Sequence, residues 1–149
     1  MYRHILIPTD GTPLSQKAAR AGTRLARQMG AKVTALYVMP PYIPPYMGEE
    51  AIAYRSMLTE KEYLASVRKQ AEQALAKVKS SARTQEVQFS QEAVIDRSPW
   101  EGIIKASRQN KCDLIVMASH GRRGVSALLL GSETQKVLTH SKIPVLVVR

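Results

Sequence analysis

Cysteine is nearly absent from this chain, with Cys112 standing alone among 149 residues. That excludes an internal disulfide and any cysteine-rich metal site, and a reducing cytoplasmic setting is the economical expectation. Aromatics are scarce as well, at 5% with a single Trp and a single Phe. No interleaved platform for stacking unpaired bases can be assembled from so few rings. Long apolar runs are missing too. No stretch approaches the roughly 20 residues that span a bilayer. The start, Met1-Tyr2-Arg3-His4, leads into a predicted strand with no signal-peptide architecture, so neither a membrane partner nor export is expected. Acidic residues are the last scarcity, 12 Asp and Glu against 22 Lys and Arg, for a net charge of +10. Basic surfaces bind polyanions through counterion release. The cations here are spread along helices, as with Lys17, Arg20, Arg24 and Arg27 or Arg68, Lys69, Lys77 and Lys79, rather than gathered in one tract. Specific nucleic-acid binding is therefore not expected.

What remains is a chain rich enough in apolar residues, 44%, to bury a core at this length. His4–Pro8 reads as a short buried strand ended by the turn cluster Thr9-Asp10-Gly11. Thr12-Pro13 then opens a helix, with Thr12 as N-cap, a stripe from Ala18 to Met29 and Gly30 as C-cap. A second strand follows at Lys32–Val38. From Met39 to about Leu58, Pro40, Pro44, Pro45 and Gly48 break regular structure. The segment Tyr42 to Met57 reads either as a lid or interface, or as an aromatic loop packed over the sheet edge. Thr59 and Glu62 form a capping box for a long helix whose buried stripe runs from Tyr63 to Val78. Glu86–Val94 is an outer strand. Ser98-Pro99-Trp100-Glu101 carries an N-cap, a first-turn proline and a capping-box acid, and its helix runs to about Arg108. Leu114–Ala118 is the fourth strand, Glu133–Thr139 a helix and Pro144–Val148 the fifth strand. Strands alternate with helices throughout and composition never shifts, so residues 1–149 read as one doubly wound α/β domain.

The segment with most chemical content is Met117-Ala118-Ser119-His120-Gly121, followed after nine residues by Gly131-Ser132. It leaves a buried strand and ends at a helix start, with Ser132 as N-cap and Gln135 at the capping-box position. Strand, glycine-bearing loop and helix N-terminus together present unpaired backbone N–H groups to an anion. Glycine lets the backbone approach phosphate oxygens closely. No Gly-Lys-Ser/Thr follows, so this is not a Walker A loop.

This segment, the final Lys142-Ile143-Pro144-Val145-Leu146-Val147-Val148 and the opening His4-Ile5-Leu6-Ile7-Pro8-Thr9-Asp10 together resemble the universal stress protein family over essentially the whole chain. Its nucleotide-binding members carry Gly-x-x-Gly, nine residues, then Gly-Ser/Thr. Gly121 and Gly131 match the second and third glycines, and Ala118 replaces the first. The alternative Gly121-Arg122-Arg123-Gly124 leaves only six residues before Gly131 and is out of phase. The resemblance implies a five-stranded parallel sheet of order 3-2-1-4-5, with ATP and Mg²⁺ at the switch point between strands one and four, in a stress-response protein that regulates rather than catalyses. Pro8, Thr9, Asp10 and Val38 would line the adenine and ribose side. Met117, Ala118, Ser119, His120, Gly121 and Arg123 would form the loop, and Gly131, Ser132, Glu133 and Thr134 the helix end at the phosphates.

Other readings stay open beside these. Asp10 is either a ligand to ribose or metal, or a turn aspartate bonding its own backbone. Ala118 costs about 1 kcal/mol if its position needs a positive φ, and is tolerable if the position is extended. Arg122 and Arg123 either clamp phosphate or sit in solvent. His4, His120 and His140 lack metal-ligand spacing, Cys112 reads as an inert buried residue, and Trp100 as packing or interface. No nucleophile with a base and an orienting group is in reach, so at most slow hydrolysis is expected. The competing class is a non-nucleotide dimeric scaffold of the same fold. The apolar edge strand Pro144–Val148 is expected to pair with its own copy, the alternative being a monomer whose last strand is shielded by the Tyr42–Met57 loop.

Overall fold

The computed structural model describes residues 1–44, 59–121 and 130–149. Its elements run β1 (His4–Pro8), α1 (Pro13–Met29), β2 (Lys32–Met39), α2 (Glu60–Thr84), β3 (Phe89–Ile95), α3 (Pro99–Gln109), β4 (Leu114–Ala118), α4 (Ser132–His140) and β5 (Val145–Val148). All strand pairs are parallel, in the order β3-β2-β1-β4-β5. The chain therefore steps outward from β1 through β2 to β3, then crosses to the far side of β1. Right-handed crossovers in opposite directions place helices on opposite faces. α1 and α2 cover one face through Ile5, Ile7, Ala19, Ala26, Val67, Leu75 and Val116. α3 and α4 cover the other through Leu6, Leu36, Ile103, Ile104, Ile115 and Val137. The central strands β1 and β4 are buried at every residue, as strands sandwiched between helix layers must be.

Local chemistry sets most element ends. Thr12 caps α1 by accepting from the Ser15 N–H, Pro13 occupies the first turn, and Gly30 closes the helix at φ 65°. The Thr59–Glu62 capping box on α2 forms in both directions. Gly22, in mid-helix, marks where α1 lies flat on the sheet. A Cβ there would come within 2.7 Å of Ile7 Cδ1 and 3.3 Å of Val116 Cβ.

Several expectations need correction. β2 continues to Met39. β3 begins at Phe89, because Glu86 adopts φ 54° in a turn off α2 and the pairing with β2 starts only at Val33–Phe89. β5 begins at Val145, since Pro144 contributes a carbonyl to Ile115 but has no N–H to give. Ser98 makes no side-chain cap. Its N–H instead donates to Asp96 Oδ1, and the Trp100 N–H at the helix start donates to Glu133 Oε2, 2.9 Å away on α4. A tertiary carboxylate has replaced the local box. The N-cap of α4 is Gly131 rather than Ser132, again without a side-chain bond, and Gln135 reaches Leu130 O instead of the cap N–H. Arg123, most of the Tyr42 to Met57 segment and the Gly124 end of the alternative motif lie outside the described residues. Tyr42 itself is described and packs on Tyr63 of α2, with ring centroids 5.5 Å apart. Trp100 packs against His140 at 4.6 Å. The Cys112 thiol is pushed up to about 12, chiefly by burial and then by Asp113, which keeps it protonated and inert.

At the end of the sheet opposite the strands' carboxyl ends, buried His4 bonds through Nε2 to Thr34 Oγ1 at 2.7 Å, and Thr34 Oγ1 to Ser90 Oγ at 2.7 Å. Burial pushes the imidazole below its ordinary value of 6.5, Lys32 adds to this, and the Asn110 backbone and Asp113 oppose it. The unfolded chain thus binds a proton more readily than the folded one. The stability held by neutral His4 is complete above the ordinary value and is lost as pH falls below it. Thermal melts are expected to drop between about pH 7.5 and about pH 5.5, and His4→Gln should flatten that slope. An unchanged slope in the variant would assign the pH dependence elsewhere.

Candidate functional site

The carboxyl ends of β1 and β4 meet at the reversal of strand order, where open parallel sheets hold ligands. On the β1 side, Thr9 N–H donates to Leu36 O, and Thr9 Oγ1 lies 3.1 Å from buried Ser15 Oγ while accepting from the Gly11 N–H. Asp10 Oδ1 accepts from both the N–H and the hydroxyl of Thr12, at 3.0 and 2.7 Å. Gly11 makes this tight turn possible with φ 82°. Asp10 therefore does act as a turn aspartate through Oδ1. Its other oxygen faces the second loop. A Cβ at Gly121 would fall 2.6 Å from Asp10 Oδ2. Two residues 111 positions apart in sequence are in contact, and any side chain at 121 would have to displace the Asp10 carboxylate.

On the β4 side, Met117, Ala118 and Ser119 are buried, His120 is half-buried and Gly121 is exposed. Ala118 pairs with Val148 as an ordinary strand residue, and among the described residues only Glu86 and Lys111 are non-glycines with positive φ. The extended alternative for Ala118 is therefore the one realised. The loop is pinned to α4 by two bonds. Gly131 N–H donates to Ser119 O at 2.8 Å, and buried Thr134 Oγ1 donates to Ala118 O at 3.0 Å. Gly131 has φ −62°, so its need for glycine is steric. A Cβ would sit 3.0 Å from His120 Cα and 3.2 Å from Ser119 O.

These contacts bring the start of α4 against the loop with the first-turn N–H groups of Ser132, Glu133 and Thr134 lacking helical acceptors. Ser132 is exposed there. The Glu133 side chain is directed to the Trp100 N–H and to Lys136, 3.2 Å away, leaving its backbone N–H as its part in the first turn. Val38 lies two residues beyond the Pro8–Leu36 pair, level with Asp10, and its methyl groups pack where Gly102 of α3 leaves room. Pro8, Thr9, Asp10, Val38, the 117–121 loop and the 131–134 turn are thus assembled at one end of the sheet. Ser15 and Thr12 escaped the sequence reading as contributors. The cue was present in the small polar residue three positions after the helix cap. Among the described residues no group of three His, Cys, Asp or Glu side chains is placed to hold a metal. A groove of about 600 Å³ between α2 and β3, lined by Met39, Arg68, Leu75 and Ile95, lies beyond β2 and away from this crevice.

Comparisons with known proteins agree with this architecture. The family model described as universal stress protein family matches residues 1–149. The chain is 32% identical to universal stress protein MJ0531 of Methanocaldococcus jannaschii, covering all of this chain and 83% of that protein. It is 31% identical over full lengths to a universal stress protein of Thermus aquaticus. The solved universal stress protein UspA from Lactobacillus plantarum superposes with a TM-score of 0.81 at 25% identity, covering 99% and 98% of the two chains. Two more distant structures share the fold, a universal stress protein in complex with cAMP (TM-score 0.69, 20% identity, covering 99% of this chain and 97% of that one) and one from Archaeoglobus fulgidus in complex with dAMP (0.70, 15%, covering 99% and 98%). With the strand order, the glycine spacing and the full-length match in agreement, the chain belongs to the universal stress protein family.

Proposed function

We propose that this chain binds ATP, as its Mg²⁺ complex, in the crevice between the β1 and β4 loops and serves as a regulatory nucleotide-binding module rather than a catalyst. The observation that carries this reading is the pair of steric glycines. Gly121 and Gly131 both stand where a side chain would collide, so bare backbone lines the approach to the α4 N-terminus. Backbone N–H groups in that arrangement favour phosphate through both hydrogen bonding and the helix dipole. Pro8, Thr9 and Val38 offer the apolar side for a base, and Asp10 the carboxylate for ribose or for a hydrated Mg²⁺, which usually keeps several waters. The same fold holds cAMP in one family member and dAMP in another. The hydroxyl–imidazole contact at the site is Ser119 Oγ to His120 Nδ1 at 3.2 Å, and Ser119 is buried, a poor arrangement for attack on a ligand.

Calorimetric titration of ATP with and without Mg²⁺ tests the reading, and saturable binding is expected. Absence of saturation at millimolar ATP would overturn it. Ala118→Gly should leave the affinity within about threefold, because no left-handed strain is there to be relieved. A gain above about tenfold would show that the alanine methyl itself obstructs the nucleotide.

The outer edge of β5, unpaired among the described residues, supports homodimerisation as part of the same proposal. Val145–Val148 carries no charge, among the described residues pairs with β4 alone, and leaves Leu146 42% exposed. An edge of this kind is a template for a second copy.

A further inference from the structure

The excess positive charge is not evenly distributed over the fold. α1 carries four cations and no acid, and α2 six cations and three acids. On the opposite face α3 carries two cations and one acid, and α4 one of each. The cations on α1 also share one side of the helix. Lys17, Arg20, Arg24 and Arg27 recur at intervals of three, four and three residues, the spacing of neighbours on a single helical face. All four are exposed. Arg27 pairs with Glu86 at 3.1 Å, but both are exposed, so the pair is weak and exchangeable. Lys17, Arg20 and Arg24 have no ion pair with a described residue. Exposed Lys69, Lys77 and Lys79 extend the charge onto α2, which packs beside α1. What looks scattered along the sequence is gathered on one face of the fold.

We propose that this face docks the phosphodiester backbone of a nucleic-acid duplex without reading its sequence. The ten helical steps from Lys17 to Arg27 span about 15 Å. A duplex strand advances about 3.4 Å per phosphate along its axis, so the row faces roughly four phosphates of one strand. Three of the four cations are arginines, whose planar forks suit phosphate oxygens. Membrane docking fits less well. The exposed large apolar residues among those described are Met1, Ile43, Ile95, Leu138 and Leu146, none of them on α1 or α2 to insert between lipids. The proposal is independent of the nucleotide crevice, which lies at the strand ends.

Fluorescence anisotropy with a labelled DNA duplex tests it across a series of salt concentrations, alongside vesicles containing anionic lipid. Wild type should bind the duplex at low salt with a log–log salt slope near −4, about 0.9 per phosphate. Arg20→Glu with Arg24→Glu should weaken binding by at least about tenfold and reduce the slope by about 2. The reference variant is Arg108→Glu with Lys142→Glu, which changes net charge equally on exposed residues away from α1 and α2. It should stay within about threefold of wild type, since only local contacts release the counterions that drive binding. Thermal melts confirm that both variants fold. Equal losses in the two variants would reduce the effect to net charge and overturn the docking face. So would a wild type that ignores the duplex at low salt, or one that binds the vesicles in preference.

Discussion

Gly121→Val is expected to abolish ATP binding while leaving the protein folded. The first added carbon would lie 2.6 Å from Asp10 Oδ2, a separation that real contacts do not sustain. Relief requires either the loop to move outward or Asp10 to swing away. Outward movement takes the backbone N–H groups from the phosphates. Displacing Asp10 breaks its bonds to the Thr12 N–H and hydroxyl, and so loosens the β1–α1 turn on the ribose side. Either route damages the proposed site from both sides at once, and a loss of at least about a hundredfold follows if two charge-assisted bonds are forfeited. Gly121 is exposed and adopts no positive φ, so neither the core nor the backbone register depends on it. Losing the two Asp10 bonds at about 1 kcal/mol each should lower the melting temperature by less than about 8 °C, so the protein stays folded at room temperature. Calorimetry and a thermal melt on the same sample give both readouts. Retained affinity in a folded Gly121→Val protein would remove this loop from the binding site.

The features that could be read from sequence are those decided locally. β1 and β4 match their predicted limits because each is a five-residue buried run bounded by turn residues. α1 and the start of α2 match because Thr12, Gly30 and the Thr59–Glu62 pair act within one turn of their own helix. The errors fall where a distant group intervenes. Ser98 has every mark of a capping box, yet Glu133, 35 residues on in sequence, supplies the carboxylate instead. Ser132 has the same marks, but Gly131, held by its N–H on Ser119 O, already has the extended cap backbone and its carbonyl accepts from the Gln135 N–H, so the helix starts one residue earlier. The site shows the same division. Spacing located Gly121 and Gly131, whereas the contact between Gly121 and Asp10, and the extended backbone of Ala118, depend on how strands meet in space. The cation row on α1 sits between these cases. Its three-and-four spacing is legible, but only the packing of Ala18, Gly22 and Ala26 against the sheet shows that the row faces outward.

Leu146→Lys is expected to convert a dimer into a monomer. The carbonyls of Pro144 and Val148 turn inward to Ile115 and Ser119 of β4. Backbone direction alternates along a strand, so the N–H and C=O groups of Val145 and Val147 point to the open edge. Antiparallel pairing with a second copy would satisfy them, Val145 against the partner's Val147 and the reverse. The two-fold axis then passes beside Leu146, which meets its own copy in the close, non-hydrogen-bonded pairing. Its 42% exposure in the single chain is the area such a contact would cover. A lysine there opposes two ammonium groups at the axis, while in the isolated chain it reaches solvent at little cost. A loss of about 2 kcal/mol per copy, the lower limit for a residue central to an interface, weakens the dimer by more than about a hundredfold. Sedimentation equilibrium should show a wild-type dimer at micromolar concentrations and a Leu146→Lys monomer with an unchanged thermal melt. A monomeric wild type, or a dimer that tolerates the lysine, would place the assembly surface elsewhere or remove it.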